Sequence, residues 1–211
     1  FIACLKGHEE VVRLLLDHMA IDVNQARPDF GVTPLFIACL ECHEGVVQLL
    51  LDHEATNVNQ ATTDDGSTPL FMACYNDYEE MVGLLLSNTN IDVNQATTDD
   101  GRTPLYIACQ KGHEGVVRLL LDHSTTVVNQ ARTEGGRTPL YIACQKGHEG
   151  VVRLLLDHAT TDVNQAETDV GATPLYIACD WGHEGVVRLL LDRSATDVNQ
   201  ARTDDGTTPL F

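Results

Sequence analysis

The sequence predicts an all-α solenoid of stacked helix–turn–helix repeats with projecting hairpin loops. Three observations lead there. The triplet Thr-Pro-Leu returns every 35 residues, beginning at Thr33, Thr68, Thr103, Thr138, Thr173 and Thr208. Each triplet opens two short apolar segments of helical period separated by a Gly-His turn or its equivalent. The rest of each unit is polar and rich in Asp, Asn, Thr and Gly, the residues of turns. The period divides one repeat array, 1–211, into full units 31–65, 66–100, 101–135, 136–170 and 171–205, with partial units 1–30 and 206–211. So small a unit cannot bury its own apolar face, and stability has to come from contacts between neighbours.

Unit 136–170 shows the logic of each element. Thr138 is a good N-cap, and Pro139 follows at the first helical position, where its missing N–H costs nothing. Thr103 and Pro104 repeat the pair one unit earlier. The first helix is expected to reach about Lys146, with Leu140, Ile142, Ala143 and Cys144 facing inward, and Gly147 stopping it at a left-handed C′ position. A second helix is expected over about His148 to Asp157, apolar around most of its circumference. On its exposed side Glu149 and Arg153 are spaced to pair. Gly150 and its copies at 45, 115 and 185 imply a steric need whose nature the sequence leaves open. After Asp157 the chain is irregular: Val163 and Ala166 anchor it, Asn164 closes a turn through its own side chain, and residues 167–171 form a finger rather than a sheet strand.

Composition narrows the function classes. The net charge is −18, from 31 acidic against 13 basic residues. Such a field disfavours nucleic acid and anionic membranes; it serves either solubility or a protein partner with a basic surface. No run of 18 apolar residues occurs, so no membrane insertion is expected. Six of the seven cysteines, Cys109, Cys144 and Cys179 among them, share one repeat position. Neighbouring helices lie roughly 8–10 Å apart, too far for disulfides, whose Cα atoms are usually under ~7 Å apart. These thiols are therefore expected to be buried and reduced, in an intracellular protein, cytoplasmic or nuclear. Both ends fall inside a unit, as in a piece of a longer protein.

The motifs Gly-x-Thr-Pro-Leu, x-Ala-Cys-x-x-Gly-His, Val-Val-Arg-Leu-Leu-Leu and Asp-Val-Asn, seen in register, resemble the ankyrin repeat across essentially the whole chain. The resemblance implies a curved solenoid and a non-catalytic scaffold that binds protein through concave helix surfaces and finger loops. The chain departs from the family in having 35 residues per unit rather than the usual 33. It also has Phe36, Phe71, Tyr106, Tyr141, Tyr176 and Phe211, with Phe1, where the family usually has histidine, so an aromatic column is expected in place of a histidine–threonine bond.

No chemistry is legible. His113-Glu114 lacks the second histidine of a zinc-protease motif, because residue 117 is Val. The histidines form two repeated series instead. One, including His148, is placed to bond backbone at the turn between helices. The other, His18, His53, His123 and His158, is placed to bond the last carbonyls of the second helix. No nucleophile elbow or phosphate loop occurs, and no cofactor or metal is expected.

Function must then lie where the copies differ. The variable positions follow the finger glycine, end the first helix, or form the finger tips. Trp181, Tyr75, Arg102 and Arg137 are the candidates for partner contact, joined by Phe30, Lys111, Lys146 and Asp180. The alternative is that the aromatics cover aliphatic surface and the arginines balance finger aspartates. Unit 66–100 is the least regular, with Cys42 before it and Gly83 within it, as either a specialised contact or a softened joint. Two other roles stay open: a spacer between absent domains, favoured by the near-identity of residues 102–188, and a pathogen effector segment.

Overall fold

A computed structural model describes residues 1–210; Phe211, expected in the aromatic column, lies outside the described residues. Twelve helices and no strand occur among the described residues. They come in pairs: α1 (Ile2–Leu5) and α2 (Glu9–Leu16), α3 (Pro34–Leu40) and α4 (Glu44–Leu51), α5 (Pro69–Tyr75) and α6 (Glu79–Leu86). The series continues with α7 (Pro104–Lys111) and α8 (Glu114–Asp122), α9 (Pro139–Lys146) and α10 (Glu149–Asp157), α11 (Pro174–Asp180) and α12 (Glu184–Leu191). Odd-numbered helices contact one another in sequence, as do even-numbered ones, giving a two-layered solenoid. None of these helices is long and apolar enough to cross a membrane.

The first helix of each full unit starts on its threonine. Thr138 Oγ1 accepts from the Tyr141 N–H at 3.1 Å, and Thr103 Oγ1 does the same for Tyr106. Pro139 occupies the first turn and Gly147 ends the helix at φ 74°. Cys42 and Asp77 take the same left-handed position with φ 57° and 63°. A side chain there costs roughly 1–2 kcal/mol relative to right-handed backbone, so strain concentrates at the two turns around unit 66–100.

The core is shared between units. Val151, Val152 and Leu155 are fully buried, as are Ala143 and Cys144 opposite them. The aromatic rings of Phe36, Phe71, Tyr106 and Tyr141 are buried beneath the fingers, whereas Tyr176 is half-buried. Cys39, Cys74, Cys109 and Cys144 are buried, and burial pushes their thiols far up. Cys179 departs from that expectation: it is only half-buried, because among the described residues no further helix pair packs against α11 and α12.

Three expectations about polar side chains need correction, and for the first two the cause is the same: the partner lies on the following unit. Asn164 does not close its own turn; Asp162 Oδ1 does, accepting from the Asn164 N–H at 3.0 Å. The Asn164 amide instead reaches the next unit, donating to the Ala195 carbonyl at 2.7 Å and accepting from the Asp197 N–H at 2.8 Å. Asn24, Asn59, Asn94 and Asn129 make the same two bonds. Glu149 does not pair with Arg153 but leans over Gly185 of the next unit, where an added Cβ would sit 1.9 Å from its carboxylate. Gly45, Gly115 and Gly150 are overlain in the same way by Glu9, Glu79 and Glu114, which is the steric need. Glu184, which meets no further second helix among the described residues, pairs with Arg188 within its own helix.

The second histidine series misses the helix-end carbonyls. His158 and His123 take up Thr160 and Thr125 hydroxyls, and His18 accepts from the Ala20 N–H. The terminal carbonyls are met by threonines instead: Thr161 Oγ1 donates to the Leu155 carbonyl at 2.5 Å, and Thr56, Thr126 and Thr196 do likewise. A short hydroxyl six residues on lies directly under the carbonyl, and the ring does not. The first series bonds across units: His148 Nε2 donates to the Gln110 carbonyl at 3.2 Å, and His43, His113 and His183 repeat this.

Two stability predictions follow from these contacts. Asn129→Ala should lower stability by about 1–2 kcal/mol, the worth of its paired bonds, whereas Asn199→Ala, whose side-chain amide bonds nothing among the described residues, should leave the urea midpoint unchanged. Gly83 lies in mid-helix with nothing within 4 Å of an added Cβ. Gly83→Ala should therefore gain about 0.5–1 kcal/mol, read as a raised unfolding midpoint.

Candidate functional site

The fingers stack through one repeated backbone bond. The Thr63 N–H donates to the Phe30 carbonyl at 2.9 Å, and Thr98, Thr133, Thr168 and Thr203 reach back to the preceding finger in the same way. Gly66 makes this approach possible: at φ 75° it has no Cβ, and one added there would lie 2.7 Å from the Thr98 backbone nitrogen. A continuous finger wall thus stands beside the ends of the first helices.

Between wall and helices runs a groove where the variable residues meet. Tyr75, Arg102, Ile107, Gln110, Lys111 and Lys146 line one stretch of it, a space of about 340 Å³ over three units. Four expected contact residues, Tyr75, Arg102, Lys111 and Lys146, therefore share one site. Lys111 Nζ sits 4.1 Å from the Tyr75 ring centroid, a cation–π contact. A neighbouring stretch places Phe30, 54% exposed, beside Phe36, Met72 and the Asp64-Asp65 tip. Trp181 is 58% exposed at the end of α11, beside the exposed Asp180.

The arginines are already engaged. Arg102 Nε bonds Asp100 Oδ1 at 2.8 Å, and its guanidinium also faces Asp99 and the Phe71 ring. Arg132 adds a second cation to Asp100 and reaches Glu134. Arg137 lies half-buried 5.8 Å from the Tyr141 ring centroid. Burial pushes the Tyr141 phenol up to about 12 against the pull of Arg137. Balancing finger carboxylates is thus a function that Arg102 and Arg132 perform, whereas no ion pair among the described residues uses Arg137, whose Nε is buried without a hydrogen-bond partner.

Sequence reasoning missed Glu167. In place of the threonine or arginine of other units, its buried carboxylate accepts from the backbone N–H groups of Asp169, Val170 and Ala172 at 2.9, 2.8 and 3.1 Å. Burial alone would raise its pKa, but these donors and Arg137 outweigh it and hold it below the ordinary 4.5. The signal was present as one acidic residue at a position otherwise Thr or Arg, although its partners are backbone.

Among the described residues no cluster of His, Cys, Asp and Glu could hold a metal ion. What the fold defines is a tandem-repeat solenoid, a stack of helix pairs with a lined cleft.

Comparison with known proteins places it more narrowly. A family profile for ankyrin repeats in three copies matches residues 1–62, 54–132 and 92–167, and one for a single ankyrin repeat matches 170–203. The chain belongs to the ankyrin repeat family. The ankyrin repeat domain of Bcl-3, a unique member of the IkappaB protein family, is similar in structure with TM-score 0.85 at 24% identity, over 99% of this chain and 90% of that one. The human ASB11 ankyrin repeat domain is similar with TM-score 0.77 at 26% identity, over 99% and 88%. No curated protein matches the sequence.

A pH prediction rests on Glu167. Its folded pKa is depressed, so its stabilisation is complete above the unfolded value of 4.5 and is lost as pH falls through the folded value. Wild type should lose its advantage over Glu167→Gln in acid, with the two melting curves converging below pH 4.5 and separated by about 1–3 kcal/mol at pH 7.

Proposed function

We propose that the chain is a non-catalytic scaffold that holds a protein partner along its groove and finger loops. One observation carries this reading: Tyr75, Arg102, Lys111 and Lys146, all at positions that vary between copies, come together in one open cleft, whereas many of the residues the copies share serve caps, core and joints. Ankyrin repeat domains are typically interaction modules, and the resemblance to Bcl-3 and human ASB11 is a resemblance of that fold. The acidic finger tip Asp64-Asp65, which no ion pair among the described residues uses, suits a partner whose flanks are basic. Free, buried thiols fit a reducing intracellular compartment. The spacer reading draws on the near-identity of units 101–135 and 136–170, which write little private information on their surfaces.

The aromatics separate the two readings better than the arginines, whose loss would also unbalance the fingers. Tyr75→Ala and Trp181→Ala should each weaken partner binding by about 1–3 kcal/mol at a true hot spot, with an unchanged melting midpoint. Isothermal titration against the partner recovered by cross-linking checks this. A spacer would tolerate both substitutions.

A further inference from the structure

We infer that the groove over units 66–170 receives an acidic, extended segment of the partner, deepening the binding reading and resting on it. The floor of the groove has a different sign from the molecule. The chain carries −18 overall, yet the side chains projecting into this stretch are Lys111, Lys146 and Arg102, with Tyr75, Ile107 and Gln110 between them. Arg102 is neutralised by Asp99 and Asp100, and Arg132 answers Asp100 and Glu134, so the bordering finger acids already have partners. None of the ion pairs among the described residues uses Lys111 or Lys146. Two exposed ammonium groups on successive units remain, one of them fixed over an aromatic face.

The lysines are also local. Equivalent positions read Lys6, Glu41, Asn76, Lys111, Lys146 and Trp181 along the stack, so two adjacent cations are bounded by Asn76 on one side and Trp181 on the other. Helix spacing of roughly 8–10 Å puts the two cations about three extended residues apart, at ~3.3 Å per residue. A segment with carboxylates about three residues apart and apolar residues between them would match both lysines while an apolar side chain lies against Tyr75 or Ile107. Acidic surroundings sharpen the choice, since a carboxylate placed elsewhere on this molecule is repelled.

The experiment uses a fluorescent peptide of about 10 residues, enough at ~3.3 Å each to cross three units, in which Glu stands at every third position with Leu and Phe between. A Lys-for-Glu version serves as comparison. Binding to the whole chain is followed by anisotropy. Lys111→Asn and Lys146→Asn install the residue that unit 66–100 already carries at this position, so folding should hold and melting curves check it. The acidic peptide should bind, and each substitution should weaken it at least tenfold, whereas Lys6→Asn, on the outlying first unit, should change nothing. No binding of the acidic peptide, tighter binding of the basic one, or equal loss in Lys6→Asn would overturn the inference. If the basic peptide binds and Tyr75→Ala abolishes it, the groove remains a binding site and only its charge preference is wrong. If neither peptide binds and partner cross-links avoid the groove, the scaffold reading falls with it.

Discussion

The amide of one asparagine, repeated at the foot of each finger, ties unit to unit throughout this molecule. From Asn24 to Asn164 it bonds both a carbonyl and an N–H on the following unit. A single planar group that satisfies donor and acceptor together fixes the separation and tilt of the next unit. The finger bond from Thr98 to Asp65 and the ring bond from His148 to Gln110 hold the same joint at its other corners. Stability in such an array is a sum over joints, so the strained turns at Cys42 and Asp77 weaken their own joints without unmaking the stack.

That division of labour makes room for function. Caps, joints and the shared core consume the residues common to every unit, leaving the ends of the first helices and the positions after the finger glycines free to vary. Tertiary stacking brings these free positions into one cleft, so Tyr75, Lys111 and Lys146 become neighbours although they lie in three different units. Groove chemistry can change by single substitutions while the joints remain intact.

Legibility in the sequence followed the range of the interaction. Thr138 and Pro139 could be read because a cap bond spans only three residues, as Thr138 to Tyr141 does. Gly147 could be read because left-handed backbone is a local demand. Asn164 and Glu149 were misjudged for the opposite reason, and His158 through a local competition. Each was given a nearby partner, whereas Asn164 and Glu149 look to the following unit and Thr161 outcompetes His158 for the helix-end carbonyl. Cys179 was grouped with its buried copies because a repeat position carries no information about whether another unit stands beyond it.

The amino-acid order alone determined the all-helical repeat, its 35-residue step, its capping residues and the set of variable positions, since all of these are periodic or short-range. Stacking decided which glutamates lie over which glycines, where the asparagines bond, and which cations remain unmatched inside an acidic molecule. Those outcomes depend on the rise and rotation between successive units. A pattern of residue types fixes that step only through the packing of one unit on the next.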